Sequence, residues 1–155
     1  MAKEGSLRHI ITPLLGGVEF RENEVFTATT GLLGFEKLKE FLLLSSVEIE
    51  PFRCLQSIED PQIAFTVLDP HYFLPEYRAE LAAEEVADLE AKNVRELREF
   101  AIVTIPAGKP ERMTANLQAP IIVNFESRKL KQVVLATTHY HTRHSILDLL
   151  KKGRE

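Results

Sequence analysis

At 155 residues, with 45% hydrophobic and 27% charged side chains, the chain has the balance of one globular domain spanning residues 1–155, which excludes a disordered polymer. Its formal charge of -4 argues against a general nucleic-acid binder, which carries a basic footprint. The single cysteine, Cys54, has no intrachain partner for a disulfide, no run approaches the roughly 18 apolar residues of a membrane span, and Lys3 and Arg8 lead into no signal-peptide core, so the expected location is the cytoplasm.

The apolar residues come in short runs closed by turn residues, a pattern that predicts strands. Residues 7–15 and 18–21 flank Gly16-Gly17, which reads as a hairpin, and 25–28 continues as a short extended piece. Gly31-Leu-Leu-Gly-Phe-Glu36 forms a turn that leads into a possible helical turn at 36–39, and strands follow at 41–45, 52–57 and 63–68. The last of these is apolar on both faces, so it belongs in the middle of a sheet. Residues 79–92 are rich in alanine, leucine and glutamate; Ala82, Val86 and Leu89 share a helical face and Asp88 can pair with Lys92, which predicts an acidic surface helix. Strands return at 100–105, 115–124 and 130–135, with Pro120 marking a bulge or edge position, and 145–152 reads as a short amphipathic helix. The expected fold is mostly β: a small barrel-like β domain with one or two short helices.

Chemistry-bearing patterns are sparse. His139, His141 and His144 form the most suggestive group: on a strand, His139 and His141 point the same way, as two metal ligands do, and His71 or Cys54 could add a third in space. The chain has no HExxH and no CxxC, and Cys54 reads first as a small core residue, so neither a metal nor another cofactor is expected. It has no nucleophile elbow, and Gly31-Leu-Leu-Gly34 lacks the lysine and hydroxyl residue of a phosphate loop. Asp60 and Asp69 precede prolines, a turn signal before it is an acid–base pair. An enzyme is therefore not expected. Charge is more informative. Residues 76–99 carry eight acidic and four basic side chains, whereas 128–155 carries seven basic and two acidic ones. Such segregation suits complementarity to a protein partner.

Several stretches resemble the FliW family, in that family's order. Gly31-Leu-Leu-Gly-Phe-Glu36 resembles GLPGFE; Leu55-Gln-Ser-Ile-Glu-Asp-Pro61 running into Ile63-Ala-Phe65 and Val67-Leu-Asp-Pro70 is similar to LQSxxDPxxAFxVxDP. Ala101-Ile-Val-Thr-Ile-Pro106 and Met113-Thr-Ala-Asn-Leu-Gln-Ala-Pro120 look like AIVTxP and MTANLxAP, and Lys131-Gln-Val-Val-Leu135 and Arg143-His144 match the ends of RKGKQVVL and LRH. The likeness spans about residues 7–147. Leu33 stands for a proline, Leu130 for a glycine, Arg53-Cys54 for a common aromatic and Thr142 for the leucine of LRH. The resemblance implies a small β-barrel-like fold and a non-enzymatic flagellar assembly factor. Such a factor binds flagellin in the cytoplasm and, in many bacteria, also binds the translational regulator CsrA, relieving its block on flagellin translation. With no apolar span and an acidic overall charge, neither a membrane nor a direct nucleic-acid contact is expected. The polar members of the matching motifs are then the expected partner contacts: Glu36, Gln56, Asp60, Asp69, Asn116, Gln132, Arg143 and His144, with Arg143 and His144 foremost on the basic face.

Overall fold

The computed structural model describes residues 6–136 and 139–153. Ten strands and one α-helix form: β1 (Leu7–Thr12), β2 (Gly16–Arg21), β3 (Phe26–Ala28), β4 (Glu40–Leu44), β5 (Arg53–Ser57), β6 (Ala64–Leu68), β7 (Leu97–Thr104), β8 (Thr114–Asn124), β9 (Lys129–Gln132), β10 (His144–Ser145) and α1 (Ile146–Gly153). Strands β3 to β8 follow one another around a sheet, β9 joins β8 to β3, and a closed seven-stranded barrel results. The closing contact is the parallel pairing of Thr27 with Lys129 and Ala28 with Leu130. Closure removes the open edges that a sheet would otherwise offer to other chains. β10 extends β8 beyond the ring, and β1–β2 form a separate hairpin.

The expected architecture is the one observed, and its three apolar clusters explain the strands that are apolar on both faces. Inside the barrel lie Phe26, Phe41, Leu55, Val67, Phe100, Ile121 and Leu130. Outside it, Phe73, Tyr77, Val86 and Leu89 from the 69–96 connection and Ile146 of α1 cover Leu68, Ala101, Leu117 and Ile122. The hairpin covers a third patch, packing Ile10 and Phe20 on Leu42. Each fully buried Leu, Ile or Phe removes enough apolar surface from water to stabilise the fold by about 1.5–3 kcal/mol. Cys54, 1% exposed on β5, is the core residue the sequence suggests, and burial pushes its thiol pKa up.

The hairpin turn sits earlier than the paired glycines. Thr12 pairs with Gly16, so Pro13, Leu14 and Leu15 make a three-residue loop and Gly16, at φ +70°, begins β2. Pro120 does mark a bulge: Phe100 pairs with Ile121 but Ile102 pairs with Asn116, so β8 spends Leu117 to Pro120 against Ala101 alone. β6 lies between β5 and β7, as a strand apolar on both faces should.

The predicted helix over 79–92 is replaced by two single 3-10 turns, Ala83–Glu85 and Ala87–Leu89, the second ending at Glu90 with φ 60°. Competition for carbonyls explains the difference. A helix would spend the Glu85 and Leu89 carbonyls on amides four residues ahead. Instead, Lys131 Nζ donates to the Glu85 carbonyl, and Asn124 Nδ2 and Ser127 Oγ donate to that of Leu89 at 2.9 and 2.8 Å. Asp88 does not pair with Lys92; it meets Lys131 at 3.2 Å, while Lys129 reaches Glu90 at 2.7 Å. The acidic segment is thus clasped by the basic strand β9, and part of the charge segregation is satisfied within the molecule. Lys131→Ala is expected to cost about 1–2 kcal/mol, because the clasp is a charge-assisted bond on a side chain only 14% exposed. Amide hydrogen exchange over residues 83–90 should quicken selectively; unchanged protection there would refute the clasp.

Candidate partner-binding surface

The eight polar motif residues divide into braces and surface groups. Gln56 is fully buried on β5, where its Nε2 donates to the carbonyls of Ser57, Pro61 and Ile63 at 3.0, 2.8 and 3.3 Å. It holds the β5–β6 turn and offers a partner no surface. Asn116 Oδ1 accepts from the amides of Gln118 and Ala119 at 3.1 and 3.0 Å and so shapes the β8 bulge. Gln132 joins two motifs: its Oε1 accepts from Leu33 N at 2.9 Å and its Nε2 donates to the Ala119 carbonyl at 3.0 Å. Asp69 caps the turn after β6, accepting from His71 N and His71 Nδ1 at 2.9 and 2.8 Å, with Arg98 at 3.7 Å.

Glu36 and Asp60 are brought together. They line one shallow hollow of about 300 Å³ with Phe35, Lys37, Leu38 and Ile63. The turn that presents Glu36 is fixed by its glycines: Gly31 and Gly34 both have positive φ, and Leu32 bridges to Phe35. Glu36 Oε2 accepts from Gly34 N at 3.1 Å, and backbone donors together with nearby Lys39 hold its carboxyl below the usual range. Leu32 is buried, and its neighbour Leu33 on the same turn faces outward at 59% exposure. The sequence shows Leu33 only as a replaced proline; the signal for its exposure is two adjacent leucines in a turn with room to bury one.

Arg143 and His144 lie on the segment before α1. Arg143 is exposed, and its backbone N donates to His141 Nδ1 at 3.3 Å. His144 Nε2 accepts from His141 N at 2.9 Å, and the two imidazoles stack 3.7 Å apart. His144 Nε2 is therefore an acceptor, which requires the His144 ring to be neutral. Burial, and then the charge of His141, hold the His144 pKa below its ordinary value. The folded state then binds fewer protons than the unfolded chain below the usual histidine pKa, so stability rises with pH there. Stability from this contact is expected in full above about pH 6.5 and to fall as pH drops below it. Histidine NMR titration checks this: a His144 midpoint at or above the free value would contradict it.

The two-histidine strand does not form. His139 and His141 lie in irregular chain, His71 is engaged by Asp69, and Cys54 is sealed in β5. Among the described residues, no group of three His, Cys, Asp or Glu side chains converges as a metal site would require. No described helix is long and apolar enough to cross a membrane.

A family model described as FliW protein matches residues 9–146. The flagellar assembly factor FliW of Bdellovibrio bacteriovorus is 43% identical over 143 residues, covering 92% of this chain and 81% of that protein. Its namesake from Thermosipho africanus is 37% identical over 134 residues, covering 86% of this chain and 92% of that one. Among solved structures, a crystal structure of the flagellar assembly factor FliW superposes with a TM-score of 0.83 at 32% identity, over 90% of this chain and 96% of its own. With the barrel and the motifs agreeing along nearly its whole length, this chain belongs to the FliW family.

Proposed function

We propose that this protein is a non-enzymatic flagellar assembly factor that binds flagellin in the cytoplasm and binds CsrA, so that flagellin and CsrA compete for it. Its action is a binding equilibrium: when flagellin is scarce the factor holds CsrA off its message, and when flagellin accumulates CsrA is free again. The observation that carries this reading is the family match over residues 9–146, in relatives that bear the name flagellar assembly factor. Two surface features support a docking role. Leu33, Glu36 and Asp60 combine an exposed aliphatic side chain with two carboxylates, and Arg143 projects a guanidinium from the C-terminal segment. An aliphatic anchor rimmed by charge is the usual anatomy of a protein-binding patch.

Isothermal titration of the purified protein with the organism's own flagellin, and separately with its CsrA, tests the proposal. Saturable heat with flagellin supports the assembly role, and saturable heat with CsrA supports the regulatory one; silence with both folded partners would overturn the reading. Arg143→Glu is expected to weaken partner binding about tenfold while leaving the thermal transition in place, since a reversed rim charge acts on association and not on packing. Equal affinity of variant and parent would remove Arg143 from the interface.

A further inference from the structure

A second site lies outside these surfaces. Between the 69–96 connection and the outward face of β7 is a cleft of about 530 Å³, lined by residues 78–81, Val94, Arg95, Leu97 and Glu99. Its floor carries the half-buried aliphatic side chains of Leu81 and Leu97, and Val94, 59% exposed, stands at the rim. Arg78 and Arg95 are both exposed, and neither guanidinium has an ion-pair partner among the described residues. Among the described residues, 78–81 make no backbone–backbone hydrogen bond. The Arg78 amide donates to Tyr140 Oη at 3.2 Å and that of Ala79 to Glu99 Oε2 at 3.2 Å, while the Glu80 and Leu81 amides have no partner among the described residues.

We propose that this cleft is a docking site for a peptide segment that carries a carboxylate side chain beside aliphatic ones, the carboxylate meeting Arg78 and Arg95 and the aliphatic groups meeting Val94, Leu81 and Leu97. Charge complementarity selects this occupant. Of the two carboxylates that line the cleft, Glu99 is turned inward: it accepts from Ala79 N and lies 3.5 Å from His71 Nε2. Burial raises its pKa above the ordinary carboxylate value. Two unpaired guanidiniums therefore face one exposed carboxylate, Glu80. Glu80 and the acidic stretch around it repel a densely acidic chain, so a lone glutamate or aspartate flanked by leucine-like residues fits where an acidic run does not. Planar guanidiniums suit this task because they bind carboxylate in a bidentate way. The Glu80 and Leu81 amides, which have no partner among the described residues, add donors for a chain lying along this wall. The site stands apart from the flagellin and CsrA reading and is tested without either protein.

The probe is a fluorescein-labelled hexapeptide, blocked at both ends, with one glutamate among leucines and serines; its control carries lysine in place of glutamate. Fluorescence polarisation of the full chain should show saturable binding of the first and at least tenfold weaker binding of the second. Arg78→Ala with Arg95→Ala should weaken the glutamate peptide about tenfold or more, the loss expected for charge-assisted hydrogen bonds. Glu80→Gln should tighten it. All three side chains are exposed, so the variants should keep the parent's circular dichroism and melting transition. No saturation by about 1 mM, equal binding of the lysine peptide, or an unchanged affinity in the double arginine variant would each overturn the proposal; 1 mM is where a specific contact amounts to only about 4 kcal/mol.

Discussion

Replacing Gly31 by alanine is expected to destabilise the protein by roughly 3–5 kcal/mol, whereas the same change at Gly34, three residues on, should cost only about 1–2 kcal/mol. Both glycines have positive φ, +74° and +86°, so each substitution carries the left-handed penalty of a side chain with a Cβ. They differ in what that Cβ meets. At Gly34 nothing lies within 4 Å, but at Gly31 it would sit 2.7 Å from both the Cα and the carbonyl oxygen of Glu36. Those are backbone atoms, so no rotamer change relieves the overlap. The turn must open, and with it the bridge between Leu32 and Phe35, the burial of Leu32 and the edge-to-face contact of Phe35 with Phe65 at 5.2 Å. Urea denaturation of the two variants side by side separates the effects. A Gly31→Ala midpoint as high as that of Gly34→Ala would show that the close approach carries no energy. Because the same turn presents Leu33 and Glu36, any partner binding through that hollow should fall with Gly31→Ala before global unfolding does.

Much of the barrel was legible because strands announce themselves locally. Short runs with period two, closed by Asp60-Pro61, Asp69-Pro70 or Pro106, place β5, β6 and β7 to within a few residues. The strand over 63–68, apolar on both faces, correctly points to a central place, as β6 has between β5 and β7. What the local pattern lacks is the identity of the cover: nothing around Leu68 or Ala101 says that Phe73, Leu89 and Ile146 will pack over them. Barrel closure is equally hidden, since it depends on Ala28 meeting Leu130 across most of the chain. The failed helix has the same origin. Alanine and glutamate favour helix by only tenths of a kcal/mol per residue, and side-chain bonds from Lys131, Asn124 and Ser127 outweigh that preference at the carbonyls a helix would need.

The surface was read less well, for a related reason. A polar residue inside a recurring motif serves either a partner or the fold, and the sequence does not separate the two. Asn116 and Gln132 satisfy backbone groups at the β8 bulge and the Gly31 turn, whereas Glu36, Asp60 and Arg143 keep side-chain surface in solvent. The acidic and basic segments illustrate the same ambiguity on a larger scale. Their complementarity is real, but Lys129 and Lys131 direct part of it inward to Glu90 and Asp88. Arg78, Arg95 and Arg143, by contrast, have no ion-pair partner among the described residues.

Gln56 supplies the sharpest test of that division, because its amide lies among apolar neighbours with one face used and the other idle. Nε2 serves three carbonyls, while Oε1 is buried without a partner among the described residues. Gln56→Ala removes the donor and leaves the Pro61 carbonyl, and part of the demand of Ser57 and Ile63, unsatisfied in a closed space; it also opens a cavity opposite Leu42, its neighbour on β4. Unpaired buried acceptors cost about 1–3 kcal/mol and the lost packing adds to this, so a total of roughly 2–4 kcal/mol is expected. Gln56→Met fills the space without the donor and should recover the packing part alone, leaving it between parent and alanine variant. Affinity for any partner, measured where each variant is still folded, should be unchanged, since the side chain has no surface to lose. A stability-neutral Gln56→Ala that nonetheless abolished binding would mean that the β5–β6 turn opens to meet its partner, with Gln56 acting at the interface after all.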